Sequence, residues 1–248
     1  MTTTPPPLDS LSHLLVLDID GTVLRSAAPH RIILQSLLMD AGLIEQELDF
    51  STFSDRTDTG ILRASFERRH GRTPTRSEQA SFEQAMAARY AALGSVDSQV
   101  MPGVLDLLAR LQTKPNWNFA FATGCWRESA TKKLSILGLA RPCMSTASEF
   151  QSRPDILSQA IALGWRDTPP AARGLTVFVG DGVWDAQAAG TVAIPFIGIA
   201  EGSAATELMC LGAHAVVPDF TNFWPILEDL SARLAARAAR QPKLCSPI

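Results

Sequence analysis

The apolar run Leu14-Leu15-Val16-Leu17 ends abruptly in Asp18-Ile19-Asp20-Gly21, and no other stretch constrains the fold as much. The run is continuous rather than alternating, which is the pattern of a parallel strand buried on both faces. A strand's period of two sends Asp18 and Asp20 the same way for as long as the extended geometry persists. Two carboxylates held close repel, so a cation or a shared proton should accompany them. The plain alternative is an acidic turn after a buried strand.

A second segment repeats the grammar. Leu175-Thr176-Val177-Phe178-Val179 runs into Gly180-Asp181-Gly182-Val183-Trp184-Asp185, an apolar β-branched stretch followed by a glycine, an acid and a second acid four residues on. In open parallel sheets the carboxyl edge of the strands is where ligands bind, so both segments would deliver acids to one edge. Carboxylate oxygens suit a hard divalent ion, and Mg²⁺ prefers one or two carboxylates with waters and a substrate phosphate. No zinc cage is spelled out, because the cysteines at 125, 143, 210 and 245 and the four histidines are scattered.

With these residues in place, Asp18-Ile19-Asp20-Gly21-Thr22 resembles the first signature of the haloacid dehalogenase superfamily of phosphohydrolases, and Gly180 to Asp185 resembles the fourth. Phe119-Ala120-Phe121-Ala122-Thr123-Gly124 is similar to the second, a strand ending in a phosphate-binding threonine. Met101-Pro102-Gly103-Val104 is similar to the helix start that precedes it, and Ile194 to Ile199 to the strand that follows the fourth signature. The resemblance spans residues 14 to 220 and rests on order and spacing. Its third signature is altered: where relatives place a lysine before a proline, this chain reads Gln151-Ser152-Arg153-Pro154. Arg153 is the first candidate for the missing cation, and Lys133, on the helix expected after Thr123, is the second. Arginine is a planar fork and lysine a point charge, so the exchange is not neutral. A solvated arginine ahead of a helix is the alternative for Arg153.

The resemblance implies a mechanism and a metal. Asp18 would be the nucleophile that forms an aspartyl-phosphate, and Asp20 would protonate the leaving alcohol and then deprotonate water. Mg²⁺ would sit on Asp18, the main-chain carbonyl of Asp20, and Asp181, with Asp185 as a further ligand or an acceptor behind the others. Thr123 and Gly124 would hold the phosphoryl oxygens. It also implies an α/β fold, a doubly wound, three-layer Rossmann-like parallel sheet with a helical cap inserted between the first and second signatures. Asp20 and Asp181 count against carbon-halogen cleavage, which lacks a second acid and a metal in this family. The first lysine of the chain is Lys114, so Schiff-base chemistry from the cap is not available. A phosphomutase of the same family, or a non-catalytic binding protein, remains as an alternative to a phosphatase.

The pattern along the chain agrees with an interrupted core. Residues 1–12 are a polar, proline-rich lead expected to be disordered. The core is expected over 13–25 and 99–230, the helical cap over 26–98 and a tail over 231–248. Within the cap, Ile32, Ile33, Leu37 and Leu38 mark one helix, and Phe82, Ala85, Met86 and Tyr90 another. From residue 100 onward helices and strands alternate, which implies right-handed crossovers and a parallel sheet. Arg56, in Phe53-Ser54-Asp55-Arg56-Thr57-Asp58, resembles the arginine that related caps carry to the substrate; the alternative is that Thr57 or Asp58 caps a helix and Arg56 is solvated. Arg68, Arg69, His70 and Arg72 read as a solvated helix end.

Composition excludes several classes. The chain has 248 residues, is 46% hydrophobic and carries a net charge of -3 with no long basic run, which argues against a nucleic-acid partner. No apolar stretch reaches the roughly 18 residues that span a bilayer, and residues 1–7 lack the pattern of a signal peptide. The cysteines read as free thiols, so a cytoplasmic monomer or homodimer acting on a small phosphorylated metabolite is expected. Cys125, beside the phosphate loop, reads as a small buried residue, and Trp184 as a wall of the cleft or as packing beneath its loop.

Overall fold

The structure is a computed structural model that describes residues 11–92, 100–139 and 141–240. Six strands form one sheet: β1 (Ser12–Leu17), β2 (Trp117–Ala122), β3 (Met144–Ser145), β4 (Arg173–Gly180), β5 (Phe196–Ile199) and β6 (Ala215–Val217). Their order is β3-β2-β1-β4-β5-β6, and every pairing is parallel. The chain winds outward from β1 through β2 to β3, then returns to the other side of β1 and winds outward again through β5 to β6. That reversal sits between β1 and β4, and it opens a crevice at their carboxyl ends.

The uninterrupted apolar run of β1 is explained by burial on both faces. Leu14 and Val16 pack with Ile156, Leu157 and Ala160 of α6 (Arg153–Gly164) and Ala188 and Ala189 of α7 (Val183–Val192). Leu15 and Leu17 face the other way, onto Leu107, Leu108 and Leu111 of α4 (Val104–Thr113), Leu134 of α5 (Arg127–Ser135), and Phe223 and Leu227 of α9 (Phe223–Arg240). The remaining core helix, α8 (Gly202–Cys210), inserts Leu208 beside β5 and β6. The layers are therefore helix, sheet, helix, as the alternation of the sequence predicts.

Between β1 and α4 lie three α-helices, one short 3-10 helix (Phe50–Thr52) and no strand among the described residues: α1 (Ala27–Asp40), α2 (Asp58–His70) and α3 (Arg76–Ala92). The α1 stripe that faces inward is His30, Ile33, Leu34, Leu37 and Leu38, spaced as one face of a helix. Ile32, expected among its apolar markers, is instead 68% exposed, because it falls on the opposite side of the turn. On α3, Met86 and Tyr90 are buried and Phe82 and Ala85 are partly so. The basic cluster after α2 is a solvated end: Arg69 meets Glu45 and Arg72 forks onto Glu78 at exposed positions.

Two expected boundaries move. β1 begins at Ser12, inside the stretch read as lead; residues 1–10 lie outside the described residues. The tail expected over 231–248 continues α9, which starts at Phe223 and runs to Arg240; residues 241–248 lie outside the described residues. The helix expected after Thr123 starts at Arg127 and ends at Ser135, as the chain tightens into turns that place Gly138 at φ 74°. No helix among the described residues is long and apolar enough to cross a membrane.

Candidate active site

Every acid singled out above leaves the sheet at the same edge. Asp18 follows β1, Thr123 follows β2, and Asp181 follows β4, with Asp185 one helical turn into α7. The chain turns sharply after Asp18: the amides of Thr22, Val23 and Leu24 all donate to the carbonyl of Ile19, and Gly21 adopts φ 92°. A Cβ at Gly21 would stand 2.1 Å from the Asp181 carboxylate, so the residue after the second acid has to be glycine for the two acidic loops to meet.

Asp18, Asp181 and Asp185 offer oxygen atoms that all lie within 4.8 Å of one another. One cation serves them. Arg153, the first residue of α6, donates from Nη1 to Asp185 Oδ1 at 2.8 Å and to Asp18 Oδ1 at 3.2 Å. Its other terminal nitrogen lies against Gly124, where a Cβ would come within 2.7 Å of it. Arg153 is therefore not the solvated arginine of the alternative reading but part of the acidic cluster. Thr22 Oγ1 donates to the second oxygen of Asp18 at 3.3 Å. Asp185 also accepts the amide of Gly182 at 3.1 Å, which ties the start of α7 to the cluster.

One guanidinium does not balance three carboxylates. Burial and then the neighbouring Asp185 push Asp18 well above the usual carboxylate range, against the pull of Arg153. Burial and Asp185 likewise push Asp181 up to about 7, and burial raises Asp185. Asp181 Oδ1 is buried and has no hydrogen-bond partner among the described residues. An orphaned carboxylate oxygen within a close acid cluster fits a hard divalent ion, which would supply both the missing charge and the missing ligand.

Asp20 has the opposite surroundings. Lys133 Nζ donates to its two oxygens at 2.6 and 2.7 Å, and Ser26 Oγ and Cys125 Sγ also reach it. Burial alone would raise its pKa, but the Lys133 ammonium outweighs burial and holds the carboxyl well below the usual range. Lys133, expected as the second candidate for the third-signature cation, thus stands on Asp20 rather than on Asp18. Asp20, His30 and Cys125 form a second group of possible metal ligands, but Lys133 Nζ already lies within hydrogen-bonding distance of all three.

Thr123 is buried with its hydroxyl against Cys125, whose amide donates to it at 3.2 Å. Cys125 is 3% exposed, which fits the small buried role expected of it, and burial pushes its thiol up. A cavity of about 450 Å³ opens over these groups, bounded by Asp18, Asp20, Thr123, Gly124 and Arg153 on the sheet side and by His30, Arg31, Phe50 and Arg56 on the other. Trp184 lines it, with the guanidinium carbons of Arg31, Arg56 and Arg153 at 5.9, 5.2 and 5.8 Å from its ring. Its indole Nε1 is buried and has no hydrogen-bond partner among the described residues. Thr57 caps α2 by accepting the amide of Gly60 at 3.0 Å, and Arg56, beside that cap, lines the cavity.

Sequence reasoning missed His30, Asp58, Ser26 and Arg31. Its available signal was slight. His30 interrupts an otherwise apolar inward stripe on α1, and Lys133 does the same between Ala130 and Leu134 on α5. A polar residue in a buried stripe has to find a partner, but which partner depends on how distant helices pack.

Comparison with known proteins agrees with the geometry. Residues 13–192 match the model of the haloacid dehalogenase-like hydrolase family. A phosphoglycolate phosphatase of Agrobacterium fabrum is 27% identical over 233 residues, which cover 92% of this chain and 98% of that protein. Among solved structures, a putative beta-phosphoglucomutase from Bacteroides vulgatus superposes with a TM-score of 0.66 at 16% identity, covering 90% of this chain and 91% of that one. A hydrolase from Pseudomonas syringae superposes with a TM-score of 0.64 at 19% identity, covering 88% and 99%. With signatures in order, an all-parallel sheet and a family model matched from β1 through α7, the chain belongs to the haloacid dehalogenase-like hydrolases.

Proposed function

We propose that this hydrolase is a Mg²⁺-dependent phosphomonoesterase that cleaves a small phosphorylated metabolite through an aspartyl-phosphate on Asp18. The observation that carries the reading is the setting of Asp18. It is buried at the end of β1, faces the cavity, and has its carboxylate oriented by Arg153 on one oxygen and Thr22 on the other. An oriented carboxylate beneath an anion-sized cavity is placed to act as a nucleophile.

Asp18, the main-chain carbonyl of Asp20, and Asp181 would hold the ion, with Asp185 beside them. When bound, it cancels carboxylate charge that otherwise repels a phosphate dianion and polarises the phosphoryl oxygens. The chain's own groups do the rest. The Thr123 hydroxyl, the Gly124 amide and the Arg153 fork bind phosphoryl oxygens and orient phosphorus toward Asp18. An Asp18 oxygen bonds to phosphorus as the bond to the leaving oxygen breaks, and Asp20, ionised before substrate binds and protonated only once the phosphate's negative charge lies beside it, gives that oxygen its proton. In the second step Asp20 takes a proton from water as the water oxygen bonds to phosphorus. The bond to Asp18 breaks, its electron pair returns to the carboxylate, and phosphate leaves.

In this reading residues 26–98 are a cap over a core of 13–25 and 99–230, and Arg56 meets a second anionic group of the substrate. The resemblance of the Arg56 loop and the related phosphoglycolate phosphatase favour a small phosphorylated acid. Cytoplasmic placement accords with the free thiols of Cys125, Cys143 and Cys210. The test is phosphate release from a panel of phosphomonoesters with and without Mg²⁺. Release that requires the metal supports the reading. A folded protein that binds Mg²⁺ and releases phosphate from no member of the panel, yet interconverts sugar phosphates, would replace it with a phosphomutase.

A further inference from the structure

We infer that Lys133 is the positioning residue of Asp20, and that the three inserted helices hold it there. The inference rests on the phosphatase reading above and deepens it. Lys133 sits on α5, on the sheet side of the molecule, and its side chain is fully buried. Its ammonium makes four close polar contacts: both oxygens of Asp20, His30 Nδ1 at 3.0 Å and Cys125 Sγ at 3.2 Å. An ammonium has three donors and no acceptor, so these contacts leave nothing for a phosphoryl oxygen. Lys133 therefore acts through Asp20 and is not a second phosphate ligand.

The same inventory fixes the imidazole. Because Lys133 only donates, His30 Nδ1 accepts, and the ring proton stands on Nε2, which donates to Asp58 Oδ1 at 2.8 Å. The other oxygen of Asp58 accepts the amide of Trp126 at 2.9 Å, and the Asp58 amide donates to the carbonyl of Gly124 at 2.8 Å. His30 comes from α1 and Asp58 from α2. From α3, the Tyr90 ring lies under Lys133 Nζ, 4.9 Å from its centroid. α1 and α3 thus each set a group against one buried ammonium, α2 braces the α1 group through Asp58, and that ammonium grips the acid that serves the leaving group. The seating of the insertion and the aim of Asp20 are one arrangement of hydrogen bonds.

The test separates the step that needs Asp20 from the step that does not. An aryl phosphate such as p-nitrophenyl phosphate departs as a stable phenolate without a proton, whereas an alkyl phosphate such as glycerol phosphate needs one. Phosphoenzyme formation in a single turnover is compared for the two substrates in wild type and in Lys133→Met. The expected result is an alkyl rate lowered roughly 100-fold, within the range general acid catalysis supplies, and an aryl rate changed less than about threefold. His30→Gln, which leaves the Lys133–Asp20 pair intact and removes its brace, should show the same preference at roughly 5- to 10-fold, and it carries the test if Lys133→Met does not fold. Equal losses for both substrates, or an unchanged alkyl rate in a folded variant, would overturn the inference. A wild type that forms no phosphoenzyme from either substrate would instead overturn the phosphatase reading beneath it.

Discussion

The two halves of the site are built on opposite electrostatic plans. Around Asp18, Asp181 and Asp185, one guanidinium faces three carboxylates, their pKa values are pushed up by burial and mutual repulsion, and one oxygen has no partner. Around Asp20, a single carboxylate has an ammonium, a hydroxyl and a thiol, and its pKa is pulled down. The first half carries more negative than positive charge and offers a cluster of oxygens that could hold a metal; the second is neutralised by the chain's own groups. A site that must both bind a metal and transfer a proton gains from this division, because an ion that entered the second half would have to displace Lys133.

The sharpest break in that comparison comes from removing the nucleophile. Asp18→Asn should abolish turnover, a loss of at least about 10⁴-fold in kcat, while the fold survives because the amide keeps the shape of the acid. A steady-state assay with the best substrate of the panel measures it. Arg153→Met takes away the guanidinium that meets Asp18 and Asp185 and should lower kcat/KM by roughly 10²- to 10³-fold, and Arg153→Lys should recover part of the loss because charge returns without the fork. Arg56→Ala should raise KM about tenfold for a substrate with a second anionic group and leave a simple alkyl phosphate within about twofold, which a comparison of the two KM values reads directly.

A smaller effect, and one specific to the acid-rich half, is the pH dependence of the metal-free protein. Asp181 stands at about 7 in the fold, against 3.8 for an ordinary aspartate. A carboxyl raised by folding binds its proton more tightly in the native state, so its contribution to stability is full below the ordinary value. That contribution is lost as pH rises through about 7. Thermal melts without metal should therefore show falling stability over that window. Mg²⁺ should reverse the fall, by about 2.7 kcal/mol at a concentration of roughly 100 times Kd. A metal-free protein whose stability is flat across the window would contradict the crowding of the three acids.

The same division governs what the sequence discloses. Asp18, Asp181 and Thr123 are legible because each follows a buried strand, and parallel strands carry their carboxyl ends to one edge whatever the loops do. Arg153 is legible from its place before Pro154, at the first turn of α6, where the chain must pass beside the strand ends. The Asp20 half is not legible. Lys133, His30 and Asp58 are separated by 103 and 28 residues, and their meeting depends on how α1 and α2 settle against α5. The sequence offers Lys133 only as the second candidate for the cation of the altered third signature, because the helix it sits on can be read and the face that meets Asp20 cannot. Ile32 marks the same limit: adjacent apolar residues on a helix point to different sides, and tertiary packing decided which of Ile32 and Ile33 went inward.

Trapping the bond between Asp18 and phosphorus decides whether the site works through a covalent intermediate. Wild-type protein turning over its best substrate with Mg²⁺ is quenched in acid, treated with hydroxylamine, and digested for mass spectrometry. A hydroxamate is expected at Asp18 that appears only with both substrate and Mg²⁺, and none at Asp20. Steady phosphate release with no modification at Asp18, or with the modification at another residue, would contradict it.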